Sequence, residues 1–388
     1  MSVRTRDSLG GRAAIAGIGA TDFSKDSGRS ELTLAVEAVR AALDDAGLVP
    51  ADVDGMVTFT MDTSPEITVA QAAGMGELSF FSRVHYGGGA ACATVQQAAL
   101  AVATGVAEVV VCYRAFNERS GRRFGSGVQQ REPSAEGAAL GWQLPFGLLT
   151  PASWVAMIAQ RYLHTYGLTP DAFGHVAVTD RRHAATNPAA HFYGKPITLD
   201  DHAASRWIAE PLRLLDCCQE TDGGQAIVVT STERARDLRR PPAVIEAAAQ
   251  GAGRNQEAMT SFYRDGLTGL PEMGVVARQL WRTSGLAPGD IDVGILYDHF
   301  TPFVLMQLEE FGFCGKGEAA DFVAADALPL NTHGGQLGEA YLHGMNGIAE
   351  AVRQLRGTSV NQIPGAARTL VTAGTGVPTS GLILGTDG

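Results

Sequence analysis

The chain has 388 residues, 45% of them hydrophobic and 18% charged, with 47 glycines, which is enough apolar material for two domains or one large two-part core with many tight turns. A formal net charge of −11 excludes a nucleic-acid surface, which needs clustered Lys and Arg against phosphate. No apolar run reaches the length of a membrane span, and the N-terminal residues lack a signal-peptide core with a cleavage site.

Ala13 to Gly19 is a short apolar strand ending in glycines, and Leu32 to Ala46 follows at helical spacing until Gly47 stops it. Pro50 to Asp54 makes a turn, and Gly55 to Phe59 is a second, buried strand. Tyr86-Gly-Gly-Gly89 opens an Ala-rich helix from Ala90 to Thr104, which Gly105 ends before the buried strand Glu108 to Tyr113. Strand and helix alternate, so the class is α/β with a central sheet. The one dense basic run, Arg114 to Arg131, is rich in Gly and Ser and predicts a mobile surface loop, or else a pocket for an anionic cofactor group.

The second half restates the first. Ala46 to Phe59 (AGLVPADVDGMVTF) parallels Ser284 to Tyr297 (SGLAPGDIDVGILY), each after an amphipathic helix and leading into a strand. The Gly-rich helix start at Tyr86 is echoed before the helix Ile348 to Arg356, and the strand Arg368 to Thr372 follows. Matching features in the same order predict an internal duplication whose halves share one cleft. The N-terminal half covers 1–117 and 211–240, the C-terminal half 241–388. Residues 118–210 form an insertion with a Trp- and Phe-bearing loop (Leu140 to Leu148) and a helix (Ser153 to Tyr166), a lid, a docking surface or plain structural packing. Asp222-Gly-Gly-Gln-Ala226 is placed just before an apolar strand.

One stretch holds more chemistry than a plain loop needs. Asn331 to Gly347 carries Gly334, Gly335, Gly338, Gly344 and Gly347, with His333, Glu339, Tyr341 and His343 among them. Five cysteines (Cys92, Cys112, Cys217, Cys218 and Cys314) show neither metal-ligand spacing nor a disulfide framework, so a cytoplasmic protein with reduced thiols is expected.

In this order, the duplicated pattern, Asp222-Gly-Gly-Gln-Ala226, Tyr297-Asp-His-Phe300, Asn331-Thr-His-Gly-Gly335 and Thr372-Ala-Gly-Thr-Gly376 resemble the thiolase fold. Within it, they resemble the enzymes related to sterol carrier protein x and the lipid-transfer-protein group. The resemblance spans nearly the whole chain and implies a five-layered pseudo-symmetric body. It also implies where catalytic residues belong, and there the chain departs from it. The family's nucleophilic cysteine falls on Gly88, its second cysteine on Val371, its histidine on Tyr341 and its Asn or His on Tyr297. Cys92 lies one turn into the helix and is expected to be a buried small hydrophobe.

What the resemblance then implies is a steroid side-chain retro-aldolase. Such an enzyme cleaves a β-hydroxyacyl-CoA ester to a ketosteroid and a short acyl-CoA such as propionyl-CoA or acetyl-CoA. A phenol can donate to an enolate or take up a proton when its surroundings allow. Tyr297, assisted by Asp298 or His299, is expected to take the hydroxyl proton and Tyr341, near His343, to protonate the enolate, or the two tyrosines exchange these roles. Gly88, Gly89, Gly334, Gly335 and Gly374 are expected to hold the thioester. No cofactor is expected in the chain, since coenzyme A is part of the substrate. The alternatives are an acetyl-CoA acyltransferase using Cys92 and a non-catalytic lipid- or acyl-CoA-binding subunit. The resemblance further implies a homodimer, paired at a sheet edge for which Glu108 to Tyr113 is the candidate. It also implies a small OB-fold partner that would carry any zinc.

Overall fold

The computed structural model describes residues 9–85, 87–121, 123, 137–138, 141–257, 261–264, 266–374 and 379–387. Tyr86, the basic run beyond Arg123, Leu140 and 375–378 of the last Gly-rich loop lie outside the described residues.

Strand β1 (Ala13–Ala20) leads into helix α1 (Glu31–Ala46). Ser30 caps that helix by accepting from the Thr33 amide at 3.1 Å, and Gly47 ends it at φ 77°. Leu34, Val39 and Leu43 on its inner face are buried, each contributing about 1.5–3 kcal/mol. The helix packs so closely that a Cβ on Gly19 would lie 2.1 Å from the Ala42 amide nitrogen. Then come β2 (Gly55–Phe59), α2 (Glu66–Ala73), β3 (Phe80–Val84), α3 (Ala91–Ala103) and β4 (Val109–Asn117). Helices α4 (Pro151–Tyr166), α5 (Asp171–Thr186) and α6 (Leu199–Ala204) and the hairpin β5 (Trp207–Ala209) and β6 (Leu212–Arg213) precede β7 (Asp222–Ser231) and α7 (Thr232–Arg236).

The second half runs β8 (Ala243–Gly251), α8 (Pro271–Ser284), β9 (Val293–Ile295), α9 (Thr301–Phe311), α10 (Ala319–Ala324), α11 (Gly335–Gly338), α12 (Met345–Leu355), β10 (Arg368–Ala373) and β11 (Thr379–Thr386). The main sheet has the order β3-β2-β4-β7-β1-β8-β11-β10-β9. Read outward from the β1–β8 junction, the two sides are copies. β2 with β4 and β9 with β10 are parallel, as is β2 with β3, and the remaining pairs are antiparallel. The counterpart of β3 is reduced to one parallel bridge between Gly294 and Leu330.

The copy extends to single hydrogen bonds. Asp52 accepts from the Val49 amide and Asp290 from the Ala287 amide, both at 2.8 Å. Asp54 then ties down the start of β4, and Asp292 the start of β10. Helices α1 and α2 cover the outer face of the first half-sheet. Helices α3 and α12 lie between the two half-sheets, and α8, α9, α4 and α5 pack outside the second. These are the five layers that the resemblance implies.

Three expectations are corrected. Strand β4, placed at the free edge by the sequence, is hydrogen-bonded to β2 on one side and β7 on the other. Among the described residues the free edge of the first half is β3, which was hard to read because Phe80-Phe-Ser-Arg-Val84 mixes exposed and half-buried residues with one buried Val84. Asp222 to Gln225 does not precede a strand but lies inside β7. There Asp222 accepts from the amides of Ser27, Arg119 and Ser120, and Gly224 lets the Leu34 carbonyl approach. Arg114, assigned to a surface loop, is fully buried within β4.

Candidate active site

The Gly-rich loop is positioned by side chains beneath it. Asp298 accepts from the amides of Gln336 and Leu337 at 2.8 and 2.9 Å. The Gln336 side chain in turn accepts from the amides of Leu342 and Gly344 at 3.2 and 3.4 Å, and donates to Asn346. Thr221 accepts from the Tyr341 amide at 2.6 Å. Tyr297 is fixed from the other side: its amide donates to Thr372 and its carbonyl accepts from Gln307. Two tyrosines therefore project from backbones that Asp298 and Gln336 tie to one another.

They meet. The Tyr297 hydroxyl donates to the Tyr341 hydroxyl at 3.1 Å, with ring centroids 6.5 Å apart. Burial pushes both phenols well above their usual range, so both are neutral at physiological pH. Tyr297 is the deeper, and Tyr341 keeps part of its surface exposed. A Cβ built on Gly88 would lie 1.9 Å from the Tyr297 hydroxyl oxygen. The phenol thus fills the volume that a side chain at position 88 would need. Gly89 backs onto Gly374, whose Cβ would lie 3.1 Å from the Gly89 Cα. Gly88, Gly89 and Gly374 converge on the start of α3, whose aligned amides favour negative charge.

The histidines flank the pair. His299 lies against Tyr297 with centroids 4.8 Å apart, stacks on Phe303, and has a buried Nδ1 without a partner. Burial pushes its pKa down to about 3. His343 lies 4.7 Å from the Tyr341 ring, centroid to centroid, and burial followed by the Arg114 charge holds its pKa well below normal.

Not every expected residue is at this centre. Asp298 is engaged by backbone amides and by the Asp180 carboxyl, so both of its oxygens are held by the loop and not by the Tyr297 hydroxyl. Gly334 and Gly335, expected to hold the thioester, face Ala184 of α5 and Asp298, where a Cβ would lie 2.5 and 2.1 Å away. Protein atoms already occupy both places. Cys92 is fully buried, its thiol donating to the Val371 carbonyl at 3.7 Å, and burial raises its pKa far above normal. That is the environment of an inert thiol.

Sequence reasoning missed Arg114, Asp62, Gln336 and Asp180. The available signal was a charged residue inside a long apolar strand, as Arg114 is in Glu108 to Asn117. Among the described residues no cluster of His, Cys, Asp and Glu could hold a metal ion, and no helix is long and apolar enough to cross a membrane.

Duplicated halves, with a phenol filling the space at the expected cysteine position, define a thiolase-type protein with no thiol there. Comparisons with known proteins agree and narrow it. Residues 253–386 match the thiolase C-terminal domain-like family. The chain is 69% identical over 387 residues to the steroid side-chain-cleaving aldolase of Thermomonospora curvata, covering 98% of this chain and 99% of that protein. It is also 69% identical over 386 residues to the 17-hydroxy-3-oxo-4-pregnene-20-carboxyl-CoA lyase of Mycobacterium tuberculosis, covering 97% of this chain and 100% of the other. Among solved structures, an Ltp2-ChsH2(DUF35) aldolase superposes with a TM-score of 0.94 at 68% identity, covering 98% and 99% of the two chains. The chain belongs to the thiolase-like family of steroid side-chain-cleaving aldolases.

Proposed function

We propose that the chain cleaves the carbon–carbon bond between a steroid ring and its side chain in a β-hydroxyacyl-CoA ester, by a proton relay through Tyr297 and Tyr341. The single observation carrying this reading is the hydroxyl–hydroxyl hydrogen bond at 3.1 Å between two buried, neutral phenols. Neutral phenols are poor bases one at a time, but a hydrogen-bonded pair passes a proton on without ionising. The substrate's tertiary hydroxyl gives its proton to the Tyr297 oxygen while Tyr297 gives its own to Tyr341. The bond to the ring carbon breaks, the ring carbon becomes a ketone, and the electron pair passes to the acyl-CoA as an enolate. As it takes up that proton, Tyr341 delivers its own to the α-carbon, so both phenols end neutral and neither ionises.

The products are a ketosteroid and a short acyl-CoA such as propionyl-CoA or acetyl-CoA, and atoms and charge balance. Gly88, Gly89 and Gly374 at the start of α3 receive the thioester oxygen as charge gathers on it. The relay takes no cofactor from the chain, and coenzyme A enters as part of the substrate.

The test is turnover of a steroid β-hydroxyacyl-CoA, read by mass spectrometry of both products. Tyr297→Phe and Tyr341→Phe are each expected to lower kcat by about 10²–10⁴. Near-normal turnover in both variants would sink the relay. Cys92→Ala should leave turnover nearly unchanged, whereas complete loss would revive an acyl-cysteine route.

The solved relative is named as an Ltp2-ChsH2(DUF35) aldolase, a double name that supports a small OB-fold acyl-CoA-associated partner for this chain too. Exposed Trp142 and Phe146 on the insertion give such a partner an apolar landing surface. A homodimer paired through the free edge β3 completes the assembly. Unpaired cysteines suit the cytoplasm.

A further inference from the structure

Arg114 is fully buried in the middle of β4, and its charge is met by Asp62. Asp62 also accepts from the Thr58 hydroxyl at 2.6 Å and from the Ala115 amide at 3.3 Å. The guanidinium lies over the rings of Phe116 and Phe59, with its central carbon 4.5 and 5.5 Å from their centroids. A buried ion pair of this kind is weak evidence for stability, because desolvation offsets most of the attraction. Its geometry indicates another use.

The Arg114 Nε lies 3.3 Å from Nδ1 of His343. A guanidinium only donates and does not lose its proton at accessible pH. Nδ1 must therefore hold a lone pair, and the single proton of the ring sits on Nε2. Imidazolium is excluded by the same contact, since two N–H groups would face each other. Burial and the Arg114 charge act in the same direction, holding His343 neutral. The ring cannot easily turn away. Its backbone is held at φ 54°, between two amides that both donate to the Gln336 side chain. Its Nε2 side faces Gly87, where a Cβ would lie 3.6 Å from Nε2.

We infer that Arg114, paired with Asp62, is a positioning residue that locks His343 as the Nε2–H tautomer and so aims a neutral hydrogen-bond donor at the start of α3. Its place in the reaction rests on the reading that the thioester oxygen is held there. A neutral donor stabilises the enolate oxygen without surrendering a proton to it, which leaves protonation of carbon to Tyr341. The opposite tautomer would present a lone pair to the same oxygen and repel it.

Nitrogen-15 NMR of histidine-labelled protein tests this directly, with His343 assigned by its loss in His343→Gln. The expected pattern is that of the Nε2–H tautomer, unchanged between about pH 6 and pH 9. Arg114→Gln alone would strand the buried Asp62 charge, so the informative variant is Arg114→Gln with Asp62→Asn. It should show averaged tautomers, with kcat lower by about tenfold or more and KM within about threefold.

A wild-type ring protonated on Nδ1, or a double variant with unchanged His343 signals, would overturn the inference. Averaged tautomers with unchanged kcat would uphold the hold of Arg114 on the ring and remove His343 from the reaction. The tautomer and the proposed chemistry therefore fail separately.

Discussion

At position 88 the absence of a side chain matters as much as the presence of one at 297. Gly88→Ala would place a methyl group within 1.9 Å of the Tyr297 hydroxyl oxygen and 2.3 Å of the ring carbon bearing it. The phenol must move away from Tyr341, so the hydrogen bond between them is lost. Gly88→Ala is therefore expected to lose at least as much kcat as Tyr297→Phe and to lower stability by about 1–3 kcal/mol. Equal kcat for Gly88→Ala and wild type would show that the pair is not needed. The phenols also predict a pH profile. Both are raised above the ordinary value of about 10, and His299 and His343 are lowered below theirs of about 6.5. Tyrosine protons leave only above the ordinary value, and the histidines gain protons only below theirs. Hence kcat/KM should be level from about pH 6 to about pH 10, and a limb near pH 6.5 would place a working histidine titration in the site.

At the scale of elements, the segment from Asn331 to Gly347 depends on two buried acids. Asp298 holds the amides of Gln336 and Leu337, and Asp180 on α5 hydrogen-bonds to it while accepting from Asn331 at 3.3 Å. Burial and the Asp298 charge raise the Asp180 pKa well above the carboxylate range, so Asp180 holds the proton. The sign follows: this contribution to stability is complete below the ordinary carboxylate value and is lost as pH rises through the raised one. Asp180→Asn keeps both hydrogen bonds and has no proton to lose. Its Tm should fall less steeply than wild type in alkali, exceeding it by about 2 °C where the acid ionises. Parallel melting curves across that range would refute the shared proton.

The tyrosines of this segment could be found from sequence because their spacing to glycine landmarks is local. The supports could not. Asp180 and Asp298 lie 118 positions apart in the chain, and Arg114 meets His343 across 229. Asp298 was assigned to catalysis because it adjoins Tyr297, although neighbours along an extended chain point to opposite sides. The repeated turns, caps and apolar runs were legible for the converse reason, since each is written within a few residues. Strand β3 was not legible, because it is an edge with only one neighbour and its five residues, Phe-Phe-Ser-Arg-Val, do not alternate apolar with polar.

For the whole molecule, assembly follows from which edge is open. Phe81 on β3 and Ile67 on α2 are 69% and 75% exposed, on the side of the sheet where no further strand pairs among the described residues. Phe81→Glu should convert the proposed homodimer to a monomer in light scattering. A dimer that persists would place the interface elsewhere. The central layer carries a different consequence. Helices α3 and α12 are packed against strands of both halves, and Arg356 after α12 reaches Asp45, the Ala16 carbonyl and the Pro241 carbonyl. The stretch 253–386 is thus recognisable on its own but not self-sufficient, for α12 loses the apolar cover that the first half gives it when that half is absent. Expressed alone it would remain unfolded or aggregate. The duplicated halves no longer behave as modules: neither can be exchanged, truncated or grafted without its twin.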